Sequence, residues 1–135
     1  MRKANKILPL VFILSMTLLL SCGKKNNDPA PPKASSYPKE VSVEYRVTSP
    51  SGLTTLDNIS RINSTGANEI FTDQALPYTA KFDMTVNQFD ALLIGGTSNV
   101  GGTIECEILV DGKSVDKKSA SGNSFTDVSA VYVFE

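Results

Sequence analysis

Apolar residues recur at every second position through much of the chain, and this period is that of strands. Val41, Val43, Tyr45 and Val47 fall on one side of an extended segment, with Ser42, Glu44, Arg46 and Thr48 on the other. Ser49-Pro50-Ser51-Gly52 follows with turn chemistry, Pro50 presetting one φ and Gly52 accepting a positive one. Leu53 to Asn63 is less regular. Leu56, Ile59 and Ile62 are spaced by three, as on a short helix, whereas the Thr, Ser and Asn content favours a strand that ends at Ser64-Thr65-Gly66.

A further strand is expected over Glu69 to Gln74, broken at Leu76-Pro77-Tyr78 because Pro77 has no N–H to donate. Ala80, Phe82, Met84 and Val86 alternate with Thr79, Lys81, Asp83 and Thr85 in the next. Another runs from Phe89 to Ile94, after which Gly95-Gly96 and Gly101-Gly102 bracket Thr97 to Val100 as a loop. That loop lacks the lysine and following helix of a phosphate cradle. Ile104, Cys106, Ile108 and Val110 face one way with Glu105 and Glu107 opposed, and the run ends at Asp111-Gly112, the turn of a type I′ hairpin. Lys113 to Ser119 returns as a polar strand suited to an exposed edge. In the last strand Val128, Ala130, Tyr132 and Phe134 alternate with Ser129, Val131 and Val133. Apolar on both faces, it suits a sheet interior or a place under a partner.

These elements predict an all-β, antiparallel β-sandwich of about seven strands, with a closed barrel as the second choice. Val43, Tyr45, Val47, Phe82, Ile104, Cys106, Ile108, Val110 and Tyr132 are its expected core. A membrane-spanning barrel is not expected, because the strands are too polar outside and lack aromatic girdles.

Ahead of the sandwich the pattern differs. Arg2, Lys3 and Lys6 precede an apolar run, Ile7 to Leu20, that is short for a membrane span and has the layout of a secretory leader. Leu19-Leu20-Ser21-Cys22 resembles the bacterial lipobox, in which a diacylglyceryl group is joined to the cysteine sulfur and cleavage falls between the positions of Ser21 and Cys22. Residues 1–21 are therefore expected to be a removed signal peptide. Residues 22–38, rich in Pro, Asn and Lys, are expected to form a tether, and residues 39–135 the domain. Acylated Cys22 would hold the protein to a membrane. Gly23, in place of an acidic residue, permits sorting to the outer membrane, with the periplasmic or surface face left open.

Composition narrows the chemistry. The chain of 135 residues has 13 Lys and Arg against 14 Asp and Glu. Three of the basic residues lie in the leader, so nucleic acid is not an expected partner. Histidine is absent, which removes the commonest general base and metal ligand. Asp73, Asp83, Asp90, Glu105 and Glu107 could supply a glycosidase-type pair, but alternate charges on strands read first as a solvated face. No calcium-loop spacing occurs. No catalytic residue, metal or cofactor is implied. Asn58-Ile59-Ser60 and Asn63-Ser64-Thr65 match the N-glycosylation pattern, as chance matches in a bacterial lipoprotein.

Val43-Glu44-Tyr45-Arg46-Val47-Thr48, Leu76-Pro77-Tyr78 and the stretch from Cys106 to Lys113 together resemble the mycobacterial membrane protein small family, MmpS, in its V-x-Y-x-V-T, L-P-W and C-x-I-x-V-D-G motifs. The resemblance implies an immunoglobulin-like sandwich in the cell envelope, without enzymatic activity, working beside a transporter-like partner. Tyr78 stands where the family has Trp, Ser49 replaces a frequent Gly, and the second cysteine that pairs with the one at Cys106 is missing. Cys106 therefore reads as a buried apolar residue. Function narrows to a lipid-anchored interaction module for envelope transport or assembly, with a receptor for a small apolar ligand or glycan as the alternative.

Overall fold

Period-two alternation gives each strand one apolar face to hide, and two sheets closing on each other hide them together. The computed structural model, which describes residues 36–135, contains β1 (Lys39–Thr48), β2 (Thr55–Ile62), β3 (Asn68–Ala75), β4 (Tyr78–Val86), β5 (Ala91–Ser98), β6 (Gly102–Val110), β7 (Lys113–Gly122) and β8 (Thr126–Val133). These form two antiparallel four-stranded sheets, ordered β4-β1-β6-β7 and β3-β2-β5-β8. The chain is the expected all-β antiparallel sandwich, with eight strands and no helix among the described residues. Leader, lipobox and most of the tether, including Ser21 and Cys22, lie outside the described residues.

The interior is the one the alternation predicts. Val43, Tyr45, Val47, Ile104, Cys106 and Ile108 are fully buried and Val110 nearly so, meeting Leu56, Ile59, Leu92, Ile94, Ala130 and Phe134 from the facing sheet. Burial of each large aliphatic side chain contributes about 1.5–3 kcal/mol. Phe82 and Tyr132 are half-buried instead of fully buried, because β4 and β8 end their sheets and leave one flank open. Both still pack on the core, Phe82 edge-on to Tyr45 at 5.6 Å and Tyr132 to Phe134 at 5.0 Å.

The irregular second segment is a strand, and its spacing has a local cause. Leu56 and Ile59 both point inward because the β2–β3 ladder skips Asp57 and Asp73, where Asp73 adopts φ 53° and alternation slips. The expected loop over Thr97 to Val100 is shorter, since β5 runs on through Gly95, Gly96, Thr97 and Ser98. Those glycines mark close packing. A Cβ at Gly96 would meet Leu56 at 2.9 Å and Ile104 at 3.2 Å, and one at Gly95 would meet Ser60 Oγ at 2.8 Å. Phe89 precedes β5 in a turn, at φ 71°, and is exposed.

Asp111 (φ 51°) and Gly112 (φ 77°) form the type I′ turn predicted between β6 and β7. Asp111 also ties the turn to β1, its N–H donating to Ser42 O at 2.8 Å while its Oδ1 accepts from the Ser42 N–H at 2.9 Å. β7 is the exposed edge that its polarity indicates, with a bulge opposite Ile108 and Leu109. The last strand is not interior: β8 ends its sheet beside β5. Its inner row belongs to the core and its outer row, Val131 and Val133, stays open. Tyr37 already belongs to the folded unit, edge-on to Phe134 with its hydroxyl donating to Glu135 O at 3.1 Å.

Candidate interaction surface

With both inner faces spent on the core, any function of the sandwich rests on its outer faces, edges and loops. The outer face of the β1 sheet is a charged ladder. Glu44 lies opposite Lys81, Arg46 opposite Glu107, and Glu107 opposite Lys117. Arg46 pairs with Glu44 at 2.6 Å and Glu107 at 3.8 Å, and Lys117 with Glu105 at 2.8 Å. The carboxylates considered for catalysis do not converge on one site. Glu105 and Glu107 belong to this ladder, Asp83 is exposed on β4, Asp73 interrupts β3, and Asp90 accepts the Asn87 N–H at 2.7 Å.

The outer face of the β5 sheet differs in kind. Leu93 lies directly opposite Val131, and Ala91 opposite Val133. Val131 is 46% and Val133 44% exposed, and Phe89, just before β5, is 72% exposed. Ile70 adds a fourth open apolar side chain on β3. This apolar field lies toward the end of the sandwich that holds the C-terminus, since the Phe89 N–H donates to Phe134 O at 2.7 Å. Val100 and Phe125 stand in loops at the opposite end, next to Gly101, whose Cβ would strike Asn123.

The concave features are polar. A groove of about 300 Å³ is lined by Ser64, Thr65, Met84, Asn87 and Asp90. A second, of about 490 Å³, runs between Glu40, Ser64, Asp83 and Thr85. Among the described residues no group of three or more Cys, Asp or Glu is placed to hold a metal ion.

At the β3 and β4 edges of the two sheets, Arg61 lies between aromatic rings from both. Its guanidinium lies 5.1 Å from the Phe71 ring and 5.9 Å from that of Phe82, and it pairs with Glu69 at 3.0 Å. Asn63 Nδ2 donates to Glu69 Oε1, and Asn63 Oδ1 accepts from Thr65 and Ala67, so the amide of this glycosylation-like triplet is committed to its turn. Those hydrogen bonds, from Asn63 and then Arg61, hold the Glu69 carboxyl below its ordinary range. Deeper in, burial pushes the Tyr45 phenol up to about 12, opposed by the Leu93 amide and Arg61. Its hydroxyl points towards that amide without completing a hydrogen bond.

Burial likewise pushes the Cys106 thiol up to about 12, with Asp127 and Glu105 adding to it, which leaves a thiol and not a nucleophile. The structure thus places Cys106 where its apolar neighbours predict, in the core. The outward apolar row was visible in the sequence as a two-faced last strand, but its location at a sheet edge was not.

Scanning protein-family models gives no match to the chain, and searching curated proteins gives none of significant similarity.

Proposed function

We propose that this chain is a non-enzymatic, lipid-anchored envelope protein whose sandwich serves as an interaction module. The observation that carries the reading is the apolar row of half-buried Leu93 and exposed Val131 and Val133 on one outer face, set against a ladder of paired charges on the other. Exposed apolar groups in contiguous array mark contact surfaces. The anchor follows from the lipobox-like Leu19-Leu20-Ser21-Cys22, and the outer membrane from Gly23. The MmpS-like stretches lie on neighbouring segments, since β1 pairs with both β4 and β6. That placement supports treating them as one motif set, and it is the resemblance itself that suggests a transporter-like envelope partner. Crosslinking in intact cells followed by purification tests this, with one envelope protein enriched reproducibly and lost on V131K. Recovery of lipid alone, or of an unmodified Cys22 by mass spectrometry, overturns the partner or the anchor respectively.

The alternative, a ligand receptor, is favoured by the polar grooves beside Ser64 and Asp83. Their lining suits a glycan better than an apolar molecule. Calorimetric titration with envelope oligosaccharides tests it, heat of binding that disappears in D83A being the supporting result.

A further inference from the structure

Four strands end a sheet in this sandwich, and three of them carry a feature that discourages pairing with another chain. β7 has a bulge and presents Lys113, Lys117 and Lys118. β8 has its Val131 N–H occupied by Asp116 Oδ2 at 2.9 Å. β3 is distorted at Asp73, where φ is 53° and the pairing with β2 skips a residue. Bulges, edge lysines and inward-pointing charges are the means by which sheet edges avoid one another.

β4 has no such break. Its register with β1 is continuous from Lys39 opposite Val86 to Val47 opposite Tyr78, with no positive φ and no proline within the strand. Its inward row, Tyr78, Ala80, Phe82 and Met84, is only half-buried, and open grooves lie against Asp83, Met84 and Thr85. Among the described residues the strand therefore offers an uninterrupted backbone edge, flanked by exposed Lys81 and Asp83 of opposite sign, and an apolar row that its own sheet does not finish covering.

Its sequence is also self-complementary. Thr79-Ala80-Lys81-Phe82-Asp83-Met84-Thr85 reads alike in both directions in residue class, with charge reversed about Phe82. The geometry points to β4 as a homotypic interface, in which two copies of this chain pair antiparallel about Phe82 to make one continuous sheet. In that register Lys81 faces the partner's Asp83, Thr79 faces the partner's Thr85, Ala80 faces the partner's Met84, and the two Phe82 rings oppose each other. Centring the pair on Lys81 or on Asp83 instead sets like charges opposite one another, which is destabilising. Charge thus selects a single register, and because antiparallel pairing of one strand with itself is two-fold symmetric, the assembly closes at a dimer. The interface is independent of the lipid anchor and of the β5-sheet surface.

The test uses the full-length protein. T79C and T85C chains are mixed under mild oxidation, and linked peptides are read by mass spectrometry. Directly opposed residues have Cα atoms about 4.5–5.5 Å apart, within disulfide reach. A disulfide joining the two introduced cysteines in the mixture, absent from either variant alone, is the expected result. K81D or D83K singly weakens association by about tenfold, and K81D/D83K together restore it. Circular dichroism shows that each variant is folded. No linkage in a folded mixture, linkage of T79C to itself, or association indifferent to the charge swaps overturns the proposal.

Discussion

The two outer faces of one sandwich are built by the same alternation and yet have opposite chemistry. On the β1 sheet the outward row carries Glu44, Arg46, Glu105, Glu107 and Lys117, each with an opposite charge within reach. On the β5 sheet the corresponding row offers Leu93, Val131 and Val133, with Ser60, Gly95 and Ser129 in line further along. A common interior accounts for stability on both sides, so neither outward row is needed to hold the fold. The charged face is well hydrated and adds little stability, since exposed ion pairs contribute about 0–1 kcal/mol. The apolar face costs solubility, and under the proposed function it is the surface that another molecule covers.

The comparison can be broken first from within. I108A removes a fully buried side chain shared by both sheets, and should lower stability by about 2–5 kcal/mol in urea denaturation. Unchanged stability would mean that the interior is not what supports the faces. Next, V131K should leave stability within about 0.5 kcal/mol of wild type. It should weaken capture of the envelope partner by about tenfold, whereas E107Q should alter neither quantity by a comparable amount. Equal loss of capture from both variants would erase the distinction between the faces.

A smaller effect concerns the seam between the two sheets. Asp116 points inward from β7 and accepts the Val131 N–H of β8, so D116A should cost about 1 kcal/mol. Burial opposes ionisation of this carboxylate, but the Val131 N–H and Lys118 together hold it below the ordinary range. A depressed folded value means that its stabilisation is present above the unfolded pKa of about 3.9 and is lost as pH falls through the folded one. Thermal melts of wild type and D116N should therefore diverge above about pH 4 and converge in stronger acid. Smallest of all, R46A should change stability by less than about 1 kcal/mol, and the difference should shrink in 1 M salt. A large, salt-independent loss would show that the ladder is structural.

Much of the sandwich was legible because local chemistry and long-range packing agree. Val41 to Val47, Ile104 to Val110 and the Asp111-Gly112 turn are readable from alternation and from the positive φ that the turn requires. Where reading failed, the missing information was non-local. Gly95 and Gly96 look like loop residues until Ser60, Leu56 and Ile104 are placed against them. Phe82 and Tyr132 have the pattern of core residues, but only strand order shows that both sit on edges. The spacing of Leu56 and Ile59 imitates a helix because the strand slips at Asp57 and Asp73. Of the candidate surface, the apolar outward row was visible as residues, and its exposure required knowing what lies beside β8.

Cys106 lies between the two sheets, its sulfur 3.8 Å from Val128 O of the facing one. With Cys22 acylated it would be the sole thiol of the mature molecule, shielded from the oxidising chemistry outside the cytoplasm for as long as the layers stay closed. An alkylating reagent would then react at the pace at which the layers part, which makes one sulfur atom a native stopwatch for opening of the whole molecule.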